Sequence, residues 1–254
     1  MPEIIEINNL SFSYDDQIVL KDISLEVEKG DFLAFVGPNG SGKSTLMKLI
    51  IGDLKPDAGN IKLFGQAQQS FNDWSKIGYM SQKVRNFNQS FPATVKDVIA
   101  ANLYHQMGFI KILNKKLENK IDESLKMVNM LPYKNRKIGN LSGGQQQRVF
   151  IARTLVIDPE VIILDEPMVG IDASSQDDFI KLINRVNIEH DITIIMVSHD
   201  IHVISSQANK LACFDDNTLH VHEHFEFDGD NDYNSSIYNR IIPLHTHEGS
   251  DNNA

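Results

Sequence analysis

The first thirty residues alternate between short hydrophobic bursts and polar positions. Residues 4–7, 10–14 and 23–27 each place apolar side chains two apart, which is typical of antiparallel strands with one solvated face. The polar pair Asp15-Asp16 lies between two of these bursts and predicts a hairpin turn. We therefore expect the chain to begin with an antiparallel sheet.

Three later segments are almost continuously hydrophobic: residues 32–36, 161–164 and 192–197. Runs of this kind are typical of strands buried on both faces of a parallel sheet. Between the first two runs, from about residue 94 to 130, apolar residues recur at helical spacing, and residues 174–186 predict another helix. Alternating buried strands and helices indicate an α/β fold with a helical insertion.

A glycine-rich segment joins the first buried strand to a helical pattern. Residues 37–44 fit the pattern G-x-x-x-x-G-K-[ST], in which backbone N–H groups wrap a phosphate chain at the start of a helix. The lysine can reach the β- and γ-phosphates, and the following hydroxyl can bind Mg²⁺. The predicted ATP-binding residues are Gly37, Pro38, Asn39, Gly40, Ser41, Gly42, Lys43, Ser44 and Thr45.

Two further segments complete the candidate site. The buried strand at 161–164 ends in Asp165 and Glu166, which predicts a carboxylate beside Mg²⁺ and a second one near the attacking water. Ser142 precedes a helix that starts with two glycines and three glutamines, so it can cap a second anion-binding helix start. A second phosphate-binding helix start suggests a site shared between two copies of the chain.

Composition narrows the functional classes. The chain has 254 residues, a formal net charge of −10 and a single cysteine, Cys213. One large domain of this length needs no disulfides, and the acidic balance argues against nucleic acid as a partner. No apolar run approaches the roughly 20 residues of a membrane helix, and the first residues do not resemble a signal peptide. We expect a soluble chain that meets a membrane only through a partner.

These motifs together resemble the nucleotide-binding subunit of an ATP-binding-cassette (ABC) transporter, over about residues 3–211. The resemblance implies a P-loop NTPase core with a mixed parallel sheet, an N-terminal antiparallel β subdomain and an inserted α-helical subdomain. It implies an ATP-binding domain over residues 1–215, with the helical subdomain at about 84–158. Residues 216–254 would form an acidic, histidine-containing extension.

The resemblance also implies a role for each matching residue. Glu166 would be the general base, with His199, Lys43 and Gln82 as the other catalytic residues. Ser44, Gln82 and Asp165 would hold Mg²⁺, and Tyr14 would stack on adenine. A second copy's ATP would be bound in trans by Ser142, Gly143, Gly144, Gln145 and Asp172. The neighbouring residues of Ser198-His199-Asp200 do not easily adopt hydrolase-triad geometry, so that alternative is rejected.

The cargo is predicted from weaker features. The sequences of residues 91–95 and 169–172 resemble those of zinc or manganese importers. The aromatic segment at residues 86–95, after Gln82, would either bind a permease helix or pack into the core of this chain. His220, His222 and His224 alternate, so they form either a weak transition-metal site or a solvated tail. Zinc is preferred to manganese mainly because the tail from residue 220 onward is rich in histidine.

The resemblance implies an ATPase coupled to transport, at the cytoplasmic face of the membrane. Its partners would be a membrane permease in two copies, a second copy of the chain, and an extracellular or periplasmic metal-binding protein. An importer or exporter of another solute, and a soluble ABC ATPase of iron–sulfur assembly, remain as alternatives.

Overall fold

The structure is a computed structural model that describes residues 3–82, 92–108, 112–170, 172–198 and 207–223. The strands are β1 (Glu3–Tyr14), β2 (Gln17–Glu28), β3 (Phe32–Val36), β4 (Ala58–Leu63), β5 (Gln66–Ala67), β6 (Ile77–Met80), β7 (Val161–Asp165), β8 (Thr193–Val197), β9 (Lys210–Asp215) and β10 (Thr218–His222). The α-helices are α1 (Lys43–Ile50), α2 (Val95–Ala100), α3 (Lys115–Met127), α4 (Gly143–Leu155) and α5 (Ala173–His190). Short 3-10 helices lie at Gln68–Ser70, Trp74–Lys76, Ala101–Gln106, Leu131–Tyr133 and Ile138–Asn140.

The N-terminal antiparallel sheet has the strand order β2-β1-β4-β5. The predicted turn at Asp15-Asp16 joins β1 to β2, with Tyr14 opposite Gln17. The separate bursts at 4–7 and 10–14 form one strand rather than two. Its register with β2 shifts between Ile7 and Leu10, around the left-handed backbone of Asn9 (φ 48°), so a bulge interrupts the alternation without ending the strand.

The central sheet has the order β10-β9-β3-β8-β7-β6. Neighbours from β9 to β6 run parallel, and β10 adds an antiparallel edge. The three predicted buried strands are confirmed as β3, β7 and β8, and every residue of each is buried. Because parallel strands end at the same edge, the segments that follow β3, β6 and β7 meet there.

Each face of the central sheet packs on a different layer. Along β3, Phe32, Ala34 and Val36 belong to a core shared with α2, α3, α4 and α5. Leu33 and Phe35 belong to a second core, shared with α1 and the antiparallel sheet. The alternation of β-strand side chains thus divides one apolar run between two hydrophobic cores.

The helical insertion consists of several short elements rather than one continuous pattern. Thr94 caps α2 in a capping box with Asp97, and the Asn114 side chain caps α3 by accepting from the Leu117 N–H. Two caps mark two helix starts, which apolar spacing alone does not separate. The predicted helix at 174–186 is longer, because Asp172 caps its start and left-handed Asp191 (φ 54°) ends it.

The sheet continues past the predicted domain boundary at residue 215. β10 pairs with β9 along its whole length, from Thr218 opposite Asp215 to His222 opposite Leu211. The boundary therefore falls within a β-hairpin of the central sheet, and residues 218–222 belong to that sheet. The division of the chain into a 1–215 domain with an 84–158 helical subdomain and a 216–254 extension remains a proposal.

Candidate functional site

The glycine-rich loop lies between β3 and α1, as its strand–loop–helix pattern predicts. Gly37 and Gly42 have left-handed backbones, with φ of 152° and 100°. A Cβ on Gly42 would lie 2.6 Å from Leu20 Cδ2, and one on Gly37 would lie 2.8 Å from the Phe214 carbonyl oxygen. Both positions therefore require glycine, for backbone conformation and for space.

The Lys43 side chain lies along the inside of this loop. Its ammonium donates to the carbonyls of Gly37 (2.8 Å) and Pro38 (2.7 Å), and the residue is 5% exposed. Burial lowers the pKa of the Lys43 ammonium, and the charges of Glu166 and Asp165 act against that shift. The cation is thus placed where a phosphate can replace two carbonyl partners.

Asp165, the last residue of β7, faces the start of α1. Its Oδ1 accepts from the Ser44 hydroxyl at 3.0 Å, and the residue is 6% exposed. Burial raises the pKa of the Asp165 carboxyl above its ordinary value, while the Ser44 hydrogen bond acts against that rise. The structure brings together two of the three residues predicted to hold Mg²⁺, Ser44 and Asp165.

Tyr79 is a neighbour of Asp165 that the sequence analysis missed. It lies on β6 opposite Ile163, two residues before Asp165, so both side chains lie on the same face of the sheet. Burial raises the pKa of Tyr79 to about 12, and the charge of Asp165 adds to that rise. The aromatic in a short strand was visible in the sequence, but the pairing of β6 with β7 was not.

Glu166 and Gln82 follow the neighbouring strands β7 and β6. Gln82 Nε2 donates to Glu166 Oε2 over 2.5 Å, although the two residues are 84 positions apart. Glu166 has a left-handed backbone (φ 48°), which costs a non-glycine residue about 1–2 kcal/mol. Strain of this size at a sheet edge persists only where surrounding contacts hold it in place.

Residues 142–145 form the start of α4. The Ser142 side chain accepts from the Gln145 N–H at 3.3 Å, and Gln145 Oε1 accepts from the Ser142 N–H at 3.1 Å. This capping box confirms the predicted cap. Among the described residues, a Cβ on Gly143 would meet nothing within 4 Å, and one on Gly144 would meet only Ser175, at 3.7 Å. Contacts within the described chain therefore do not require glycine at either position.

A cavity of about 300 Å³ adjoins this helix start, and Ser142, Gly144, Gln145 and Ser175 are among its lining residues. Asp172 precedes Ser175 in the chain, and its carboxylate caps α5 by accepting from the Ser175 N–H at 3.0 Å. Of the predicted trans residues, Ser142, Gly144 and Gln145 thus line this cavity, and Asp172 bonds the backbone of Ser175 in its lining.

The remaining predicted site residues lie apart or outside the described chain. Tyr14 ends β1, is 44% exposed and contacts Phe12 edge-on, with 4.9 Å between ring centroids. His199 and His224 lie outside the described residues. His220 and His222 are on β10, where His220 Nε2 is 3.4 Å from the Thr218 hydroxyl. Within the described ranges, no three His, Cys, Asp or Glu side chains form a group that could hold a metal ion.

Comparison with known proteins identifies the family. A model described as ABC transporter matches residues 20–169. ZurA, the ATP-binding protein of a zinc uptake system in Listeria monocytogenes, is 46% identical over 230 residues, covering 89% of this chain and 90% of the relative. ZnuC, the ATP-binding protein of a high-affinity zinc uptake system in Bacillus subtilis, is 34% identical over 208 residues, covering 82% and 89%.

A solved structure gives the same result for the fold. The structure of cbiO1 from Clostridium perfringens, part of the ABC transporter complex cbiONQ, is 26% identical with a TM-score of 0.79. The match covers 97% of this chain and 96% of that one. Over the described ranges, none of the helices is both long and apolar enough to pass through a bilayer. The chain belongs to the ABC transporter family, as one of its ATP-binding, ATP-hydrolysing subunits.

Proposed function

We propose that this chain hydrolyses ATP to energise the import of zinc through a separate membrane permease. The observation that carries the ATPase part is the cluster at the carboxyl ends of β3, β6 and β7. There the Lys43 ammonium, the Ser44–Asp165 pair and the Gln82–Glu166 pair adjoin one glycine-rich loop. Positioning and charge neutralisation are the main requirements of phosphoryl transfer, and these groups supply both.

Residues 37–45 would bind the triphosphate of ATP. The backbone N–H groups that follow β3 lie at the start of α1, where the helix dipole favours negative charge. Lys43 would exchange its carbonyl partners for β- and γ-phosphate oxygens, because a charged acceptor forms the stronger hydrogen bond. Tyr14, at the exposed end of β1, would offer its ring to adenine.

The oxygen groups of Ser44, Asp165 and Gln82 fit Mg²⁺. A hydroxyl and a carboxylate 3.0 Å apart, with an amide at the end of the adjacent strand, are hard oxygen donors of the kind that this ion prefers. When bound with ATP, Mg²⁺ neutralises charge on the β- and γ-phosphates. Asp165 would then remain charged in the buried site, because a cation offsets the cost of its burial.

Glu166 would act as the general base. Its carboxylate accepts a proton from the water that attacks the γ-phosphorus, while the bond from that phosphorus to the ADP oxygen breaks. The hydrogen bond from Gln82 to Oε2 orients the carboxylate toward this role. His199, outside the described residues, would contact the γ-phosphate.

Two copies of the chain would share each ATP. The cap at Ser142 and the open space over Gly143 allow a phosphate from a second copy to approach the start of α4. Gln145 adjoins that start, and Asp172 would lie at the seam between the copies. One site would thus combine the phosphate loop of one copy with the α4 start of the other.

The cargo proposal depends on the relatives and on the chain's own histidines. The zinc uptake proteins described above align with most of this chain, and imidazole is a ligand that zinc accepts. The predicted site of His220, His222 and His224 gains no support from the described residues and remains a prediction. The partners would be two permease subunits at the cytoplasmic membrane face and an extracellular or periplasmic metal-binding protein.

Uptake of labelled zinc and labelled manganese in metal-poor cells lacking this chain tests the proposal. We expect zinc uptake to be lost and to be restored by wild type but not by Glu166→Gln. Loss of manganese uptake alone would replace zinc by manganese and keep the ATPase role. If neither changed, the metal cargo would be wrong; co-purification with a soluble scaffold rather than a permease would then favour iron–sulfur assembly.

A further inference from the structure

Gln147 connects the start of α4 to the segment that follows Glu166. It lies two residues beyond Gln145 on α4 and is 5% exposed. Its side-chain Nε2 donates to the backbone carbonyl of Pro167. Gln147 also lines both cavities beside α4: the one at Ser142, and a second of about 250 Å³ next to Pro167.

Pro167 is the residue through which Glu166 can be held by its backbone. Proline has no N–H, so its carbonyl is its one backbone hydrogen-bonding group, and Gln147 uses it. The left-handed Glu166 is thereby held at two points: Gln82 bonds its carboxylate, and Gln147 bonds the next residue. Loss of either contact would leave the strained backbone freer to relax.

Packing alone does not account for an amide side chain at position 147. Its Oε1 is buried, and among the described residues it has no hydrogen-bond partner. A buried acceptor without a partner costs free energy, and a methionine of similar length would fill the space without that cost. Core stability therefore does not explain this residue, whereas the hydrogen bond from Nε2 does.

One rigid helix carries both this contact and the proposed trans site. Ser142 caps α4 and Gly144 lies in its first turn, and Gln147 lies one turn after Gly143 on the same 13-residue helix. A displacement of the helix start by a second copy's nucleotide therefore moves Gln147 as well. That motion reaches Pro167 through one hydrogen bond.

We propose that Gln147 is a positioning residue that keeps Glu166 aimed at ATP when the start of α4 engages the second copy's nucleotide. The inference depends on the proposed function, because it assumes that Glu166 is the base and that two copies share each ATP. It adds a route by which one nucleotide site controls hydrolysis at the other. The positioning role belongs to Nε2 of Gln147, which donates the hydrogen bond, and not to its Oε1.

Two variants of the full chain test this assignment. Gln147→Met keeps the length and removes the donor, while Gln147→Leu removes both the donor and the acceptor and cannot be protonated into a donor. Thr154→Val is the matched control, because it removes a buried hydroxyl of the same helix that donates to the Phe150 carbonyl, a contact within α4 itself. We would measure kcat, KM for ATP and the melting temperature of each variant. ATP-driven dimerisation would be measured separately, with each substitution combined with Glu166→Gln.

We expect both Gln147 variants to lose about tenfold or more in kcat, because small misplacements of a catalytic group have large effects on rate. KM for ATP and dimerisation should stay within about twofold of wild type, as should the kcat of the control. A wild-type kcat in Gln147→Leu would overturn the proposal, as would a rise in KM alone or an equal loss in Thr154→Val.

Failure of the proposed function would look different. If Glu166→Gln alone hydrolysed ATP at the wild-type rate, Glu166 would not be the base, whatever the Gln147 variants did. If Glu166→Gln abolished hydrolysis while both folded Gln147 variants kept it, only the positioning role would be wrong. Should Gln147→Met not fold, the contrast between Gln147→Leu and Thr154→Val carries the test.

Discussion

Glu166→Gln is the substitution that tests the proposed chemistry most directly. It keeps the shape of the side chain and removes the carboxylate that would accept a proton. A general base contributes about 10²–10⁴-fold to a rate, which is about 3–5 kcal/mol of barrier at about 1.4 kcal/mol per tenfold. We therefore expect kcat to fall by at least about 100-fold, measured by phosphate release from the purified chain.

The same variant should bind ATP at least as tightly as wild type. The hydrogen bond from Gln82 can still reach the new side-chain oxygen, and the charge of Glu166 near Lys43 is removed. Less negative charge beside the loop favours a bound triphosphate, so a closed dimer should accumulate. A fluorescent ATP analogue and size-exclusion chromatography measure both effects.

Glu160→Gln is the matched control, because Glu160 lies at the opposite end of β7 and pairs with Lys76 at 2.8 Å on the surface. It makes the same chemical change at the other end of β7 from the proposed ATP site. Its kcat should equal that of wild type. The reasoning is refuted if Glu166→Gln keeps kcat within about threefold of wild type, or if the control loses as much.

Three further predictions follow from the site. Gly42→Ala should lower the free energy of unfolding by about 2–3 kcal/mol in denaturant titrations, since its Cβ would clash; Gly40→Ala (φ 83°, no described atom within 4 Å) should lose less. Ser142→Ala should lower the free energy of unfolding by about 1 kcal/mol and abolish ATP-driven dimerisation. Thr94→Ala should lower the free energy of unfolding by a similar amount and leave dimerisation intact. Burial raises the pKa of Asp165 above its ordinary value of 3.8. The nucleotide-free fold therefore loses stability as pH rises from that ordinary value through the raised pKa of the folded protein. In EDTA, Asp165→Asn should therefore melt higher than wild type at pH 7 and approach it near pH 4 in thermal scans; an equal melting temperature at pH 7 would contradict this.

The sequence by itself determined the local chemistry of this protein. The buried strand, glycine loop and helix around Lys43 are coded within about fifteen consecutive residues, because hydrophobic period, glycine and helix start act over short distances. The caps at Ser142 and the turn at Asp15-Asp16 are local in the same sense. Each of these could be predicted before any contact was known.

Only the tertiary structure decided which distant segments meet. Gln82 reaches Glu166 because β6 pairs with β7, and Ser44 reaches Asp165 across 121 positions. Tyr79 beside Asp165, and Gln147 on the Pro167 carbonyl, were missed for the same reason. The order of strands in a parallel sheet is selected by the packing of its whole surface, and no short stretch of sequence contains that choice.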